Sequence, residues 1–570
     1  MARIKRAVAA ALVSAAACAC SGSSGGDSVG DADAGGDVTG DGGQEGDAAP
    51  VDPCEPLGDR PGVCPARGLY DEPIDVELHA PVGSEVYFTL DGSDPDEASG
   101  ILYTEAIAVS PPSDRGVVIL RARAIDPVSG PGAIVTHSYV FPGAVLAQAA
   151  APAGVPAVWG TSQTRAGDYQ MDSRVLDDPD AAAAALADLP TVSLVMAHDD
   201  LWGTAQGIYM NPEEGGVEWE RPVSAEIFGD GMSLQAGCGV RIQGGSSTLD
   251  WKSAKLSLRL SFKEAYGPDE LEVPLFGGGD EAADYDVLTL DAHLNLTWTH
   301  PDVAQRTRAD YIRDRFTSDL QLAVGSYAPR GRFVHLYLNG LYWGLYELHE
   351  RPDEHFAASY LGGAAANYDV IKHIRTDVVN GDAAAYDAMF TLARQGLADA
   401  GRYTAIQQQL DVPDFIDYML VNFYVGNDDW SHHNWYAARR KPDGQWHFFS
   451  WDAEHVLKDV AINRTALNDS AAPGELYQLL RGNADFRAAV TARAAELFAA
   501  GGPFTTEVAR ALYVERADEI EPSIVLESAR WGDVNSPDAP HDITQWRAEQ
   551  TWLRETYFPD RPAVVAAQVD

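Results

Sequence analysis

Short alternating runs come first along the chain. "IDVELHA", "EVYFTL", "VVILRARAI" and "AIVTHSYVF" alternate or run apolar, with turn residues between them, and predict a small all-β module over 54–142. Residues 143–189 are rich in Ala, Pro, Gly and then Asp, and read as a linker with one short helix at "DPDAAAAALADL". From Pro190 the apolar runs become denser. "PTVSLVM" predicts a buried strand, and "CGVRIQGGSS" a strand running into Gly244-Gly245-Ser246-Ser247. In "WKSAKLSLRLSF", Lys255, Ser257, Arg259 and Ser261 share one parity, and Leu256, Leu258, Leu260 and Phe262 the other. That predicts a half-buried strand with a basic outer face. Asn339-Gly340 between two apolar runs predicts a tight hairpin. "WYAARR", "KPDGQ" and "WHFFSWD" predict a second hairpin, turning at Asp443-Gly444 and ending at Asp452. The core domain is expected over 190–460. Over 461–570 the spacing turns helical, as in "ADFRAAVTARAAELFAAGG" and "ITQWRAEQTWLRETYF", with Trp531 and Trp546 in a core.

Charge and cysteine usage change this picture at the N-terminus. Arg3, Lys5 and Arg6 precede the apolar run Ala7 to Ala17, which is too short to span a bilayer about 30 Å thick. Cys18 and Cys20 follow, and the arrangement resembles a bacterial lipoprotein processing site, although Ala17 stands where Leu is usual. Residues 1–20 are therefore expected to be an export signal, with a lipid anchor holding the protein in the cell envelope or at its surface; plain secretion is the alternative. Residues 21–53 are dominated by Gly and Asp, lack Lys and Arg, and read as a flexible acidic tether. In an exported protein Cys54 and Cys64 are expected to pair, leaving Cys238 as a buried small hydrophobe. The whole chain carries 41 Lys and Arg against 85 Asp and Glu, a formal charge of −44. That argues against general duplex-DNA binding and against docking on anionic lipid headgroups, both of which need basic surfaces.

Three stretches carry candidate chemistry. The Gly244-Gly245-Ser246 turn followed by Lys255 is one way to cradle a triphosphate, backbone N–H groups meeting phosphate oxygens and the ammonium adding a point charge. The hairpin after Asn339 delivers Glu347, Glu350 and Arg351, and a carboxylate there is a candidate partner for Lys255. Asp429 and Asn434 then precede the second hairpin, and Asp452 ends it. An Asp four residues before an Asn, a hairpin and a second Asp suit phosphoryl transfer, which needs a carboxylate at the acceptor hydroxyl and oxygen ligands for Mg²⁺. Asp428 competes with Asp429 for the first role, and His432, His433, His447 and His455 leave a zinc site open.

Two resemblances follow from these motifs. Tyr87, Thr89, Asp91 to Pro95, Tyr103 and Arg121-Ala122-Arg123-Ala124 resemble the small Ig-like module that ends chitobiases and hexosaminidases. "GIYMNP", "RIQGGSS", "KLSLRLSFKEAYG", "LYLNGLYWGLYELHERPDEHF", "NDDWSHHNWYAARR", "FFSWDAEH" and "ESARWGD" resemble the spore coat protein H (CotH) kinase family. The second resemblance implies an α+β, kinase-like two-lobed catalytic domain with a helical C-terminal lobe. It assigns Lys255 to nucleotide phosphates, with Gly244, Gly245, Ser246, Arg259 and Glu350 on the nucleotide side. Asp429 falls at the catalytic-loop position, and Asn434 and Asp452 at the metal-ligand positions. It implies ATP with Mg²⁺ or Mn²⁺, and transfer to Ser or Thr of an envelope or extracellular protein. Two departures remove positive charge: Ser247-Thr248 where an Arg is frequent, and Asp291 where a basic residue is common. The alternative is an inactive kinase-like scaffold whose sandwich binds glycan or envelope material.

Overall fold

A computed structural model describes residues 54–569 apart from 278 and 280. The export signal and the acidic tether lie outside the described residues. No helix among the described residues is long and apolar enough to cross a membrane.

The first module is the expected β-sandwich. Strands Ile74–His79, Glu85–Thr89, Val117–Asp126 and Gly130–Val140 cover the four apolar runs, and Cys54 is joined to Cys64. In the turn after Thr89, Asp91 Oδ1 accepts hydrogen bonds from the Ser93 backbone N–H and Oγ, so its carboxylate closes the loop. Arg121 pairs with Asp94 across it.

Residues 143–189 are not a linker. Trp159 and Tyr169 are buried in the core of the next domain, and Met171, Leu176, Ala182 and Ala185 pack between it and the sandwich. The helix Pro179–Ala185 starts where expected, capped by Asp178, whose side chain accepts from the Ala181 N–H. Apolar density is low in this segment because a few large side chains, Trp159, Tyr169, Met171 and Leu176, do the anchoring.

Seven strands then close into a barrel, in the order Thr191–Val195, Arg221–Gly229, Met232–Gln243, Ser257–Ser261, Val287–Asp291, Leu341–Glu350, Gly331–Leu338. The last pairs parallel with the first, and every other pair is antiparallel. Parity explains the closure: Val240, Ile242, Leu258, Leu260, Leu288, Leu290, Tyr346 and Leu348 all turn into the barrel core. The opposite parity, including Arg241, Arg259, Thr289, Asp291, Glu347 and His349, faces outward. Asn339 and Gly340 turn the hairpin with φ of 44° and 77°, as an Asn-Gly pair allows.

A four-stranded antiparallel sheet stands beside this outer face, in the order Val378–Asn380, Tyr368–Lys372, Trp435–Arg440, His447–Ser450. It contains the predicted second hairpin. Helices Arg313–Ala323, Val412–Val425, Ala484–Leu497 and Thr506–Trp531 share one core with this hairpin. The expected boundary at 461 therefore does not separate two cores: Phe316, Phe423, Trp435, Tyr513 and Phe558 pack in the same cluster. Trp546 is buried there, while Trp531 packs on the barrel core.

Candidate functional site

The helix Val412–Val425 ends at Gly426, which is left-handed at φ 65°. The loop that follows carries Asp428, Asp429 and Asn434 into the strand Trp435–Arg440. Asn434 donates from Nδ2 to Asp429 Oδ2 at 3.3 Å, and its backbone N–H donates to His373 Nδ1 at 3.0 Å. Asp428 turns away, paired with Lys458 at 2.8 Å and with Arg464. Of the two neighbouring acids, Asp429 is the one beside Asn434. The proposed zinc set is scattered: His432 and His433 flank Asp429, whereas His447 pairs with Asp414 at 3.0 Å.

Asp452 follows the strand His447–Ser450, at φ 54°, and Asn434 sits at φ 62°. Left-handed backbone at two non-glycine residues costs about 1–3 kcal/mol each, and such positions gather at functional sites. The Asp452 carboxyl is pushed well above the usual range by burial, and then by the charges of Glu454, Asp291, Asp314 and Asp429. Asp452 and Asp429 are thus within electrostatic reach of each other, and Asp429 in turn is hydrogen-bonded to Asn434. The donor set fits a hard cation. Asn434 spends its amide N–H₂ on Asp429 and keeps its carbonyl oxygen, and among the described residues the charges acting most strongly on Asp452 are all negative.

The order of these parts, from the glycine turn to the last helix, is also that of a known family. Residues 240–565, more than half of the chain, match the family model described as CotH kinase protein. The chain belongs to the CotH kinase family. Residues 65–136 match the model of the chitobiase/beta-hexosaminidase C-terminal domain. No curated protein matches the chain significantly.

The nucleotide side of this CotH kinase domain differs from the expectation. Lys255 is not on the outer face of a strand. It precedes the strand Ser257–Ser261 and is buried, donating to Glu527 Oε1 at 2.8 Å and to the Leu345 carbonyl at 2.5 Å. Its ammonium lies 4.6 Å from the Tyr346 ring centroid. Both charged side chains are fully shielded from solvent, and burial lowers the Lys255 pKa. Its partner is therefore Glu527, from the late "ESARWGD" segment, and neither Glu347 nor Glu350. Glu350 accepts from the Arg330 backbone N–H and the Tyr360 hydroxyl, each at 2.7 Å, so it braces the barrel rim. Gly244, at φ 146°, shapes the open turn, and Lys252 rather than Lys255 reaches Ser246, at 2.6 Å from Oγ.

Arg259 does face outward, and it has company. Arg241 and Arg259 are direct cross-strand partners, and the row continues through Thr289 to His349. Arg351 and Lys372 complete a cationic group. Arg259 is lowered to about 10, by burial first and then by Arg351 and Arg241. Arg259 Nε, Thr289 Oγ1 and His349 Nε2 are buried without hydrogen-bond partners. Asp353 is the carboxylate that acts most strongly on Arg259, as Glu220 does on Arg241, and Asp353 already caps the helix Glu354–Leu361. Arg351 donates from Nε to the Tyr436 hydroxyl at 3.0 Å, and Tyr436 pairs in register with Lys372, next to His373 and Asn434. The basic group thus abuts the Asp429–Asn434 loop.

Sequence reasoning passed over Arg241, Lys372, His293, His349, Asp314, Glu454 and Glu527. Strand parity carried part of the signal: in "LYELHER" the residues Glu347, His349 and Arg351 alternate with apolar Leu348 and buried Glu350. Asp291, read as a departure from the family, joins the carboxylates around Asp452.

Proposed function

We propose that this protein is an exported, surface-anchored phosphotransferase that moves the γ-phosphoryl group of ATP to a Ser or Thr hydroxyl of an envelope or extracellular protein. The observation that carries the reading is the convergence of Asp429, Asn434 and Asp452 beside the clustered cations Arg241, Arg259, Arg351 and Lys372, of which Lys372 also pairs with Asp377 at 3.7 Å. In a chain of net charge −44, four cationic side chains crowded together against their own repulsion suit a polyphosphate.

Each residue then has a chemical task. Arg241, Arg259, Arg351 and Lys372 hold the phosphate oxygens, in the place first given to Lys255. Lys255, locked to Glu527, ties the barrel to the long helix beneath. Asn434 Oδ1 and the Asp452 carboxylate would hold Mg²⁺ or Mn²⁺, which when bound neutralises phosphate charge. Asp429 accepts the proton of the acceptor hydroxyl as its oxygen bonds to the γ-phosphorus and the bond to the β-phosphate oxygen breaks, leaving ADP. Asn434 orients Asp429 through the 3.3 Å hydrogen bond. A positioned general base contributes about 10²- to 10⁴-fold to rate.

Two variants test the assignment. Asp429→Asn is expected to bind ATP·Mg²⁺ like the parent, measured by calorimetry, while transfer of labelled γ-phosphate to a protein acceptor falls by about two to four orders of magnitude. Asp452→Asn is expected to lose metal-dependent ATP binding and yet fold, since it relieves repulsion among the carboxylates. A parent that binds no nucleotide would overturn the proposal in favour of a scaffold.

A further inference from the structure

We propose that Asp291 and His349, flanked by Glu454 and His293, form a separate cation site that takes a divalent transition-metal ion of the Mn²⁺ or Zn²⁺ kind. It adjoins Asp452, on whose carboxyl Glu454 and Asp291 act most strongly after burial, at the outer face of the barrel, and it requires no nucleotide.

The lone pairs decide the matter. His349 is buried, and its Nδ1 lies 2.7 Å from the Glu350 carbonyl oxygen, an acceptor only. In the neutral ring the proton is therefore on Nδ1, and Nε2 keeps a lone pair. That Nε2 has no hydrogen-bond partner and faces Asp291 Oδ2 at 4.0 Å. A carboxylate oxygen and an imidazole lone pair repel at this range, and 4.0 Å is too long for a hydrogen bond. A metal ion with bonds of roughly 2.0–2.2 Å to nitrogen and oxygen fits between them.

The surroundings are built as a ligand cage. Asp291 Oδ1 accepts from Ser257 Oγ and from the His293 backbone N–H, each at 2.8 Å, which turns Oδ2 toward the two imidazoles. His293 Nδ1 lies 4.0 Å from Asp291 Oδ2 and 3.7 Å from Glu454 Oε1. Glu454 is itself fixed by the Leu294 N–H at 2.7 Å and the Asn295 N–H at 3.0 Å. His293 Nε2 and Glu347 Oε2 form an ion pair at 3.4 Å: burial works against charging the ring, but Asp291, Glu454 and Glu347 raise the His293 pKa to about 10, so His293 stands at the cage wall as a cation. His293 adopts φ 52°, a strained backbone for a side chain aimed into a polar hollow. Anchored outer contacts of this kind are what orient metal ligands. Imidazole nitrogen mixed with carboxylate selects borderline transition metals, whereas Mg²⁺ prefers oxygen alone.

The test uses the full-length protein, stripped of metal and free of nucleotide, in a large excess of Mg²⁺. MnCl₂ is titrated in, and bound ion is counted by electron paramagnetic resonance. One Mn²⁺ per chain is expected to bind in spite of the Mg²⁺, with nitrogen coupling in the pulsed spectrum and a rise in melting temperature. His349→Gln and Asp291→Asn are each expected to weaken binding at least ten-fold, about the loss a disturbed ligand shell produces. Asn434→Ala is expected to leave this Mn²⁺ in place, which separates the site from the one proposed for ATP. No Mn²⁺ retained over Mg²⁺, Mn²⁺ without nitrogen coupling, or parent-like affinity in His349→Gln would overturn the proposal. Should a variant fail to fold, the nitrogen coupling of the parent decides alone.

Discussion

At the residue scale, burial changes the role of a charged side chain. The family resemblance implies nucleotide roles for Lys255 and Glu350, yet each is enclosed and satisfied by its own partners. Glu350 has a measurable consequence. Burial pushes its carboxyl up to about 7, against hydrogen bonds from Arg330 and Tyr360 that work the other way. The folded state thus holds this proton more tightly than the unfolded chain, whose carboxyl titrates near 4.5. The stabilisation from the protonated form is complete below about pH 4.5 and is lost as pH rises through about 7. Over that window the loss is on the order of 3 kcal/mol. Glu350→Gln keeps the shape and removes the titration. Its melting temperature is expected to fall less than the parent's between pH 5.5 and pH 8; equal slopes would show that Glu350 is ionised throughout.

At the element scale, the joint between the barrel and the helix Thr506–Trp531 organises the site. The register of the hairpin pair Gly331–Leu338 and Leu341–Glu350 shifts between Leu336 and Tyr337. Gly344 sits opposite at φ 113°, and the Leu345 N–H is taken by Glu527 Oε2 at 2.8 Å. Glu527 therefore holds both Lys255 and the strand backbone. A Cβ at Gly344 would stand 2.6 Å from Glu527 Oε2 and 2.8 Å from Trp531 Nε1. Gly344→Ala is expected to destabilise the protein by about 2 kcal/mol or more, from strained backbone and the displaced helix together. Denaturant unfolding checks it, and a parent-like midpoint would mean that the joint yields without cost. The predicted hairpins at Asn339-Gly340 and Asp443-Gly444 formed because local turn chemistry and strand alternation agree there.

At the scale of the whole molecule, the sandwich is not a free accessory. Glu226, on the barrel strand Arg221–Gly229, is fully buried beneath it. Arg67 Nε reaches Glu226 Oε1 at 3.3 Å, and Ser138 donates its backbone N–H to Oε1 at 3.0 Å and its hydroxyl to Oε2 at 2.5 Å. Burial drives the Glu226 pKa up and the Arg67 pKa down, so each depends on the other. Arg67→Met would leave Glu226 uncompensated, at a cost of about 3–5 kcal/mol. The expected outcome is a single cooperative transition at a lower temperature. Two separate transitions, with the barrel unaffected, would show that the modules are independent.

The chain's alternation and turn residues by themselves determined the sandwich strands, the two hairpins and the order Asp429, Asn434, Asp452. These are local properties, set by side-chain parity and by residues that accept tight turns. Only the tertiary structure decided which charges are used. Strand parity placed Arg259 outward, but the closed barrel and the neighbouring sheet set Arg241, Arg351 and Lys372 around it. Lys255 met a carboxylate 272 residues away, in a helix that no local pattern connects to it. Ionisable groups act through distance in space and through the water that folding removes, and neither quantity is written in the spacing of residues along a chain.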